Sequence, residues 1–188
     1  KNVDQKYFTL SEYATLVKEG QTDKNGNVIY LYATDKQAQY SFIAEAQERG
    51  YDVLEMDGQL DNHFISWFKN QGTRFARVDA DVIDKLIEKE TKRKMALTTV
   101  QQDLLRPVFD AQLPKDDKMH FNVVFEPLDE KQQPVVITQN EFMRRMKDMA
   151  AMGGGGMPFY GQMPDSYSVV VNGNHPLVAE ILDEVEKG

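Results

Sequence analysis

The 188-residue chain is 41% apolar and 28% charged, enough for one large domain or two small ones with a real core. With 30 acidic against 22 basic residues the net charge is −8, which argues against a general nucleic-acid binder, because phosphate backbones need a basic face. Cysteine is absent, which excludes disulfides, thiol nucleophiles and thiolate metal sites, and no apolar run approaches the ~20 residues of a membrane span. The polar start KNVDQKYF has no signal-peptide pattern, so a cytoplasmic location is expected; an opening Lys instead of Met suggests a piece of a longer chain.

Thr9 and Glu12 have capping-box spacing, ahead of Tyr13, Leu16 and Val17 at helical period, with Gly20 as the stop. GQTDKNGN is a polar loop. Val28 to Tyr32 is a continuous apolar run, as in a strand covered on both faces. Asp35 is placed to cap a helix with Ala38, Phe42, Ile43 and Ala46, ended by Gly50. Asp52 to Met56 is a second strand. Asp61 is placed to cap a third helix with Phe64, Ile65, Trp67 and Phe68 on its apolar side, ended by Gly72. Arg74 to Val78 is a third strand and Val82 to Glu90 a helix. Such alternation predicts a small three-layer α/β unit with a short parallel sheet.

After Glu90 the pattern changes. TKRKM is a short basic hinge. A helix begins at Thr98 or Thr99 and carries Val100, Leu104 and Leu105, with Pro107 expected to kink it or end its first part. Met119 to Glu126, Val135 to Thr138 and Tyr167 to Val171 are strands. Asn140 is placed to cap a methionine-rich helix, and Pro176 to Glu186 is a last amphipathic helix. The second part is therefore α+β, a mixed helix-strand domain.

Catalytic patterns are scarce. His63, His120 and His175 are scattered, with no HxxxH or HExxH. Gly153 to Gly156 are not followed by Lys-Ser/Thr, and the first βα turn, YATDKQ, lacks GxGxxG. Neither Ser66 nor Ser166 has a nucleophile motif around it. The methionine helix stands out. At about 100° per residue, Phe142, Met143, Met146, Met149, Ala150 and Met152 share roughly half the circumference. Two readings fit: the arc packs into the core of the second part, or it is an exposed, adaptable surface for varied partners.

VVVNGNHPLVAEIL, Val169 to Leu182, is a strand, an Asn-x-x-His-Pro-Leu turn and a helix. It resembles the C-terminal domain of the ninety-kilodalton heat-shock chaperones. NEFMRRMKDMAAM sits where that family has an amphipathic helix facing the cleft between two protomers. YFTLSEYATLVKEGQ, VIYLYATDKQ and GYDVLEMDGQLDNHFISWF resemble its small middle subdomain. The resemblance runs from about Thr9 to Lys187.

It implies a small middle subdomain at 1–90, a hinge at 91–97 and a partial C-terminal domain at 98–188. It further implies that the parent is an ATP-driven, homodimeric stress chaperone for unfolded or partly folded clients. ATP and Mg would bind outside this stretch, which would itself be no enzyme and hold no cofactor; the dimerising helices would follow Gly188. No nucleic acid or membrane partner is implied. Carried over by position, client-contacting residues are Phe142, Met146, Met149 and Ala150, with Met143 and Met152 completing the arc, and a second patch of Asn62, His63 and Ser66. The rivals are a small α/β nucleotide-binding enzyme module and a structural adaptor whose methionine helix is buried.

Overall fold

The apolar run that begins at Val28 becomes β1 (Ile29–Ala33), buried at every position. The computed structural model describes residues 1–58, 60–90, 93–141, 143–144 and 164–187, and the chain divides into two units, Lys1–Glu90 and Thr91–Gly188. In the first unit β1 lies between β2 (Val53–Glu55) and β3 (Arg74–Arg77), both parallel to it. Successive side chains of a strand point to opposite faces. Ile29, Leu31 and Ala33 join one core with Ile43 and Ala46 of α2 (Tyr40–Glu48). Tyr30 and Tyr32 join the other with Tyr13 and Val17 of α1 (Leu10–Val17) and Ile65 of α3 (Asp61–Asn70). Helices thus cover both faces, which is why β1 reads as an unbroken apolar run and not an alternating one.

Local chemistry sets the boundaries. The Thr9–Glu12 capping box forms: the Glu12 carboxylate accepts from Thr9 N at 2.8 Å, and Thr9 Oγ1 accepts from Glu12 N at 3.3 Å. Gly50 (φ +74°) and Gly72 (φ +87°) take left-handed conformations just past α2 and α3. Asp35 does not cap α2. Its Oδ1 accepts from the backbone N–H of Gln37 and Ala38, closing a separate turn, and α2 starts only at Tyr40. The buried Gln39 takes over the junction, with Oε1 accepting from Thr34 N at 2.8 Å and Asp35 N at 3.0 Å. Asp61 is the first residue of α3 instead of its cap, and accepts from Gly58 N at 2.8 Å. The helix expected over 82–90 is the short α4 (Ile83–Leu86).

In the second unit a capping box of Thr98 and Gln101 opens α5 (Thr99–Asp110). Pro107 does not end it: the helix runs on to Asp110, with the proline exposed. The sheet has β4 (Met119–Glu126), β5 (Val135–Gln139) and β6 (Asp165–Asn172) in the order β4-β6-β5. The pair β4 and β6 is parallel, in register from Met119↔Asp165 to Glu126↔Asn172; β5 runs antiparallel to β6. Val123, Phe125, Val169 and Val171 form a core with Leu105 of α5 and with Val178 and Leu182 of α6 (Pro176–Lys187). A parallel α/β unit is thus followed by a mixed helix-strand unit, as the sequence predicts.

Candidate functional site

Two surfaces were marked by sequence. Of the methionine arc, Phe142, Met146, Met149, Ala150 and Met152 lie outside the described residues. Met143 is inside them and half-buried; its N–H donates to Asn140 Oδ1 at 3.3 Å, the bond expected of Asn140 as a helix cap.

The second surface is α3, held to the sheet by Ile65, its one fully buried residue. The apolar side expected for this helix was Phe64, Ile65, Trp67 and Phe68. In fact Phe64 is 40% and Trp67 57% exposed, and Leu60 just ahead of the helix is 77% exposed. A three-stranded sheet offers one helix little width, so Ile65 and the partly buried Phe68 fill it and the other rings turn outward. At about 100° per residue, His63, Trp67, Leu60 and Phe64 span an arc of roughly 100°, and Ser66 and Asn62 continue it on one side. His63 is exposed, while Asn62 and Ser66 are half-buried. The Ser66 hydroxyl donates to Asn62 O at 2.7 Å, so it is turned onto its own helix and is not poised as a nucleophile. The rings support each other: Phe64 and Phe68 centroids are 4.5 Å apart, and Trp67 meets Phe68 edge-on at 4.7 Å.

The structure therefore brings Asn62, His63 and Ser66 together on one outward face and adds Leu60, Phe64 and Trp67, which the sequence reading had not placed there. The signal was present as an i, i+4, i+7 stripe of large apolar residues. Covering one such side chain is worth about 1.5–3 kcal/mol at full burial. Three of them, all still exposed, support weak and non-directional binding once ordering costs are subtracted.

The turn after β1 offers a nucleotide phosphate no comparable footing. A phosphate cradle needs free backbone N–H groups at a strand-to-helix turn. After β1 those of Thr34 and Asp35 go to Gln39, those of Gln37 and Ala38 go to Asp35, and the Asp35 carboxylate would repel phosphate. Among the described residues no group of three or more His, Asp or Glu side chains is arranged to hold a metal ion.

The turn VNGNHPL has a different task. Asn172 is fully buried; its Nδ2 donates to Asp129 O at 2.8 Å and its Oδ1 accepts from Asn174 N at 3.1 Å. Asn174 Oδ1 accepts from Ala96 N at 2.8 Å, and its Nδ2 is within reach of Lys94 O and Leu128 O. His175 Nδ1 accepts from Leu177 N at 3.1 Å and so starts α6. Residues 94–97, the 126–129 loop and the end of β6 are clasped at this point. The motif is architectural.

The whole chain, residues 1–188, matches the family model described as Hsp90 protein. The chain belongs to the Hsp90 family. It is 49% identical to the chaperone protein HtpG of Bacteroides thetaiotaomicron over 98% of its own length and 27% of that protein's. It is 49% identical to that of Bacteroides fragilis over 99% of its length and 28% of that protein's. It is 48% identical to that of Porphyromonas gingivalis over 96% and 27%. This Hsp90-family chain thus spans little more than a quarter of the curated relatives it matches. Membership removes the reason to read the first unit as an independent small enzyme. In the Hsp90 frame the described candidate surface is α3, and the clasp at 172–175 keeps the second unit in shape. Among the described residues no helix is long and apolar enough to cross a membrane.

Proposed function

We propose that this chain is the substrate-facing part of an ATP-dependent, homodimeric Hsp90 chaperone, and that it offers apolar surface to unfolded or partly folded clients. The observation that carries this reading is the outward stripe of Leu60, Phe64 and Trp67 beside Asn62, His63 and Ser66, on a chain of the Hsp90 family. Soluble surfaces rarely gather large apolar groups without a binding role. The methionine arc, Phe142 to Met152, is proposed as a second, separate client-contacting stretch on the strength of its sequence pattern alone. ATP and Mg belong, on this reading, to other parts of the parent protein, which fits a first βα turn whose backbone donors at Thr34, Asp35, Gln37 and Ala38 are spent internally.

The test is client capture by Leu60→Ser with Trp67→Ala. Both side chains are mostly exposed, so stability should change by about 1 kcal/mol or less. Retention of an unfolded model protein should fall clearly. Unchanged retention by a folded double variant would remove α3 from the client surface.

A further inference from the structure

Two Asn-Gly pairs occur in the chain, Asn25-Gly26 and Asn172-Gly173, and the structure treats them in opposite ways. Asn172 ends a buried strand, both ends of its amide are hydrogen-bonded, and Gly173 N donates to Glu126 O at 2.9 Å. Asn25 sits at the exposed tip of the loop between α1 and β1. The rest of that turn is well tied: Asp23 Oδ1 accepts from Asn25 N, Asn27 N and Asn27 Nδ2, and Asp23 N donates to Asn27 O. The Asn25 side-chain amide takes no part in this network. Gly26 follows at φ +81°, with nothing beyond its chain neighbours within 4 Å of where a Cβ would stand, so neither a side chain at position 26 nor a packed neighbour there crowds the approach to its amide nitrogen. A single exposed turn bond, Gly26 N to Asp23 O at 3.0 Å, must open to release it.

We propose that Asn25 is a site of spontaneous deamidation, while Asn172 is protected by the fold. A base removes the Gly26 N–H proton and the nitrogen attacks Asn25 Cγ, forming a C–N bond; the Cγ–Nδ2 bond then breaks as the departing NH2 takes a proton from the protonated base or water and leaves as ammonia. Water then opens the succinimide at either carbonyl. Cleavage at the side-chain carbonyl yields Asp at position 25. Cleavage at the main-chain carbonyl yields isoaspartate, which routes the backbone through an extra methylene. Either product puts a new carboxylate into the turn that holds Asp23 and the Lys24–Glu88 ion pair. The isoaspartate also lengthens the chain inside the Thr22↔Val28 bridge that leads into β1. No cofactor is needed, and Asn is among the residues that heat modifies.

The experiment is peptide mapping by mass spectrometry after incubating the folded chain at neutral and at alkaline pH, with a carboxyl methyltransferase assay for isoaspartate. Asn25→Gln is the control, and the same incubation in urea exposes both pairs. In the folded chain Asn25 should react about ten times faster than Asn172 or more, since Asn172 must await local unfolding. Alkali should accelerate it, urea should bring Asn172 level, and Asn25→Gln should abolish the isoaspartate signal. An unmodified Asn25 in the folded chain, or Asn172 reacting as fast without urea, would overturn the proposal.

Discussion

Gly173 shows how one residue's size is fixed by its neighbour. A Cβ there would lie 2.3 Å from Met95 Sδ and 3.4 Å from a Leu97 methyl, so the constraint is space, not backbone angle. Gly173→Ala should destabilise the chain by about 1–3 kcal/mol, because Met95 must leave its packing. Combined with Met95→Ala, the loss should be smaller than the sum of the two singles, a coupling that urea melts of the four species would read. Additive losses would mean that the two residues do not compete for this space. Glu12 makes a second residue-scale case. Hydrogen bonds from the Thr9 backbone, then from the Thr9 hydroxyl, hold its carboxyl below the usual range. The group is more acidic folded than unfolded, so the stability that it adds is present above the ordinary carboxylate range and is lost as pH falls through its depressed folded value. The Thr9 amide shift should titrate with a midpoint below that range, and the Glu12→Gln variant, which keeps a capping partner, should not titrate there. Of these two features the sequence showed the capping box, because it is a local pattern. The Gly173–Met95 contact joins residues 78 positions apart along the chain, and nothing in either neighbourhood announces it.

Elements were legible where one strong cause set them. β1 was readable because two-sided burial leaves only apolar residues; the start of α5 was placed at Thr98 or Thr99 from the apolar period that follows, and the Thr98–Gln101 box that fixes it was not read in advance. The misplaced boundaries are those where two local signals compete. Asp35 has the chemistry of a cap, but spends it on the turn at 37–38, and a buried glutamine does the joining. Pro107 was expected to kink the helix or end its first part; it does not end it, because the packing of Leu105 and Phe109 on the second core carries α5 past it. Tertiary burial overrides a local penalty here. Pro107→Ala should therefore restore a backbone donor on an exposed face, raising stability by about 1 kcal/mol or more in a urea melt with unchanged slope. A drop in the midpoint would show that the proline shapes the helix.

For the whole molecule, the order of motifs identified the family although no single motif carried chemistry. The turn around Asn172 to Pro176, on which the resemblance was first drawn, is a clasp. The candidate surface was half legible: Asn62, His63 and Ser66 came from resemblance, whereas Phe64 and Trp67 were read only as part of the helix's apolar side, together with Ile65 and Phe68. Amphipathic spacing tells which residues share a face, but not how much of that face a three-stranded sheet can cover. The central claim is that the outward face of α3 receives unfolded chains. Trp67, the only tryptophan here, stands on that face and reports on it directly. The decisive measurement is its fluorescence during titration with an unfolded, tryptophan-free protein. A saturable blue shift, weakened by Leu60→Ser and absent with the same client in its folded state, is the predicted result. An emission maximum that does not move while the client demonstrably binds would contradict the account, because it would put the client elsewhere on the chain.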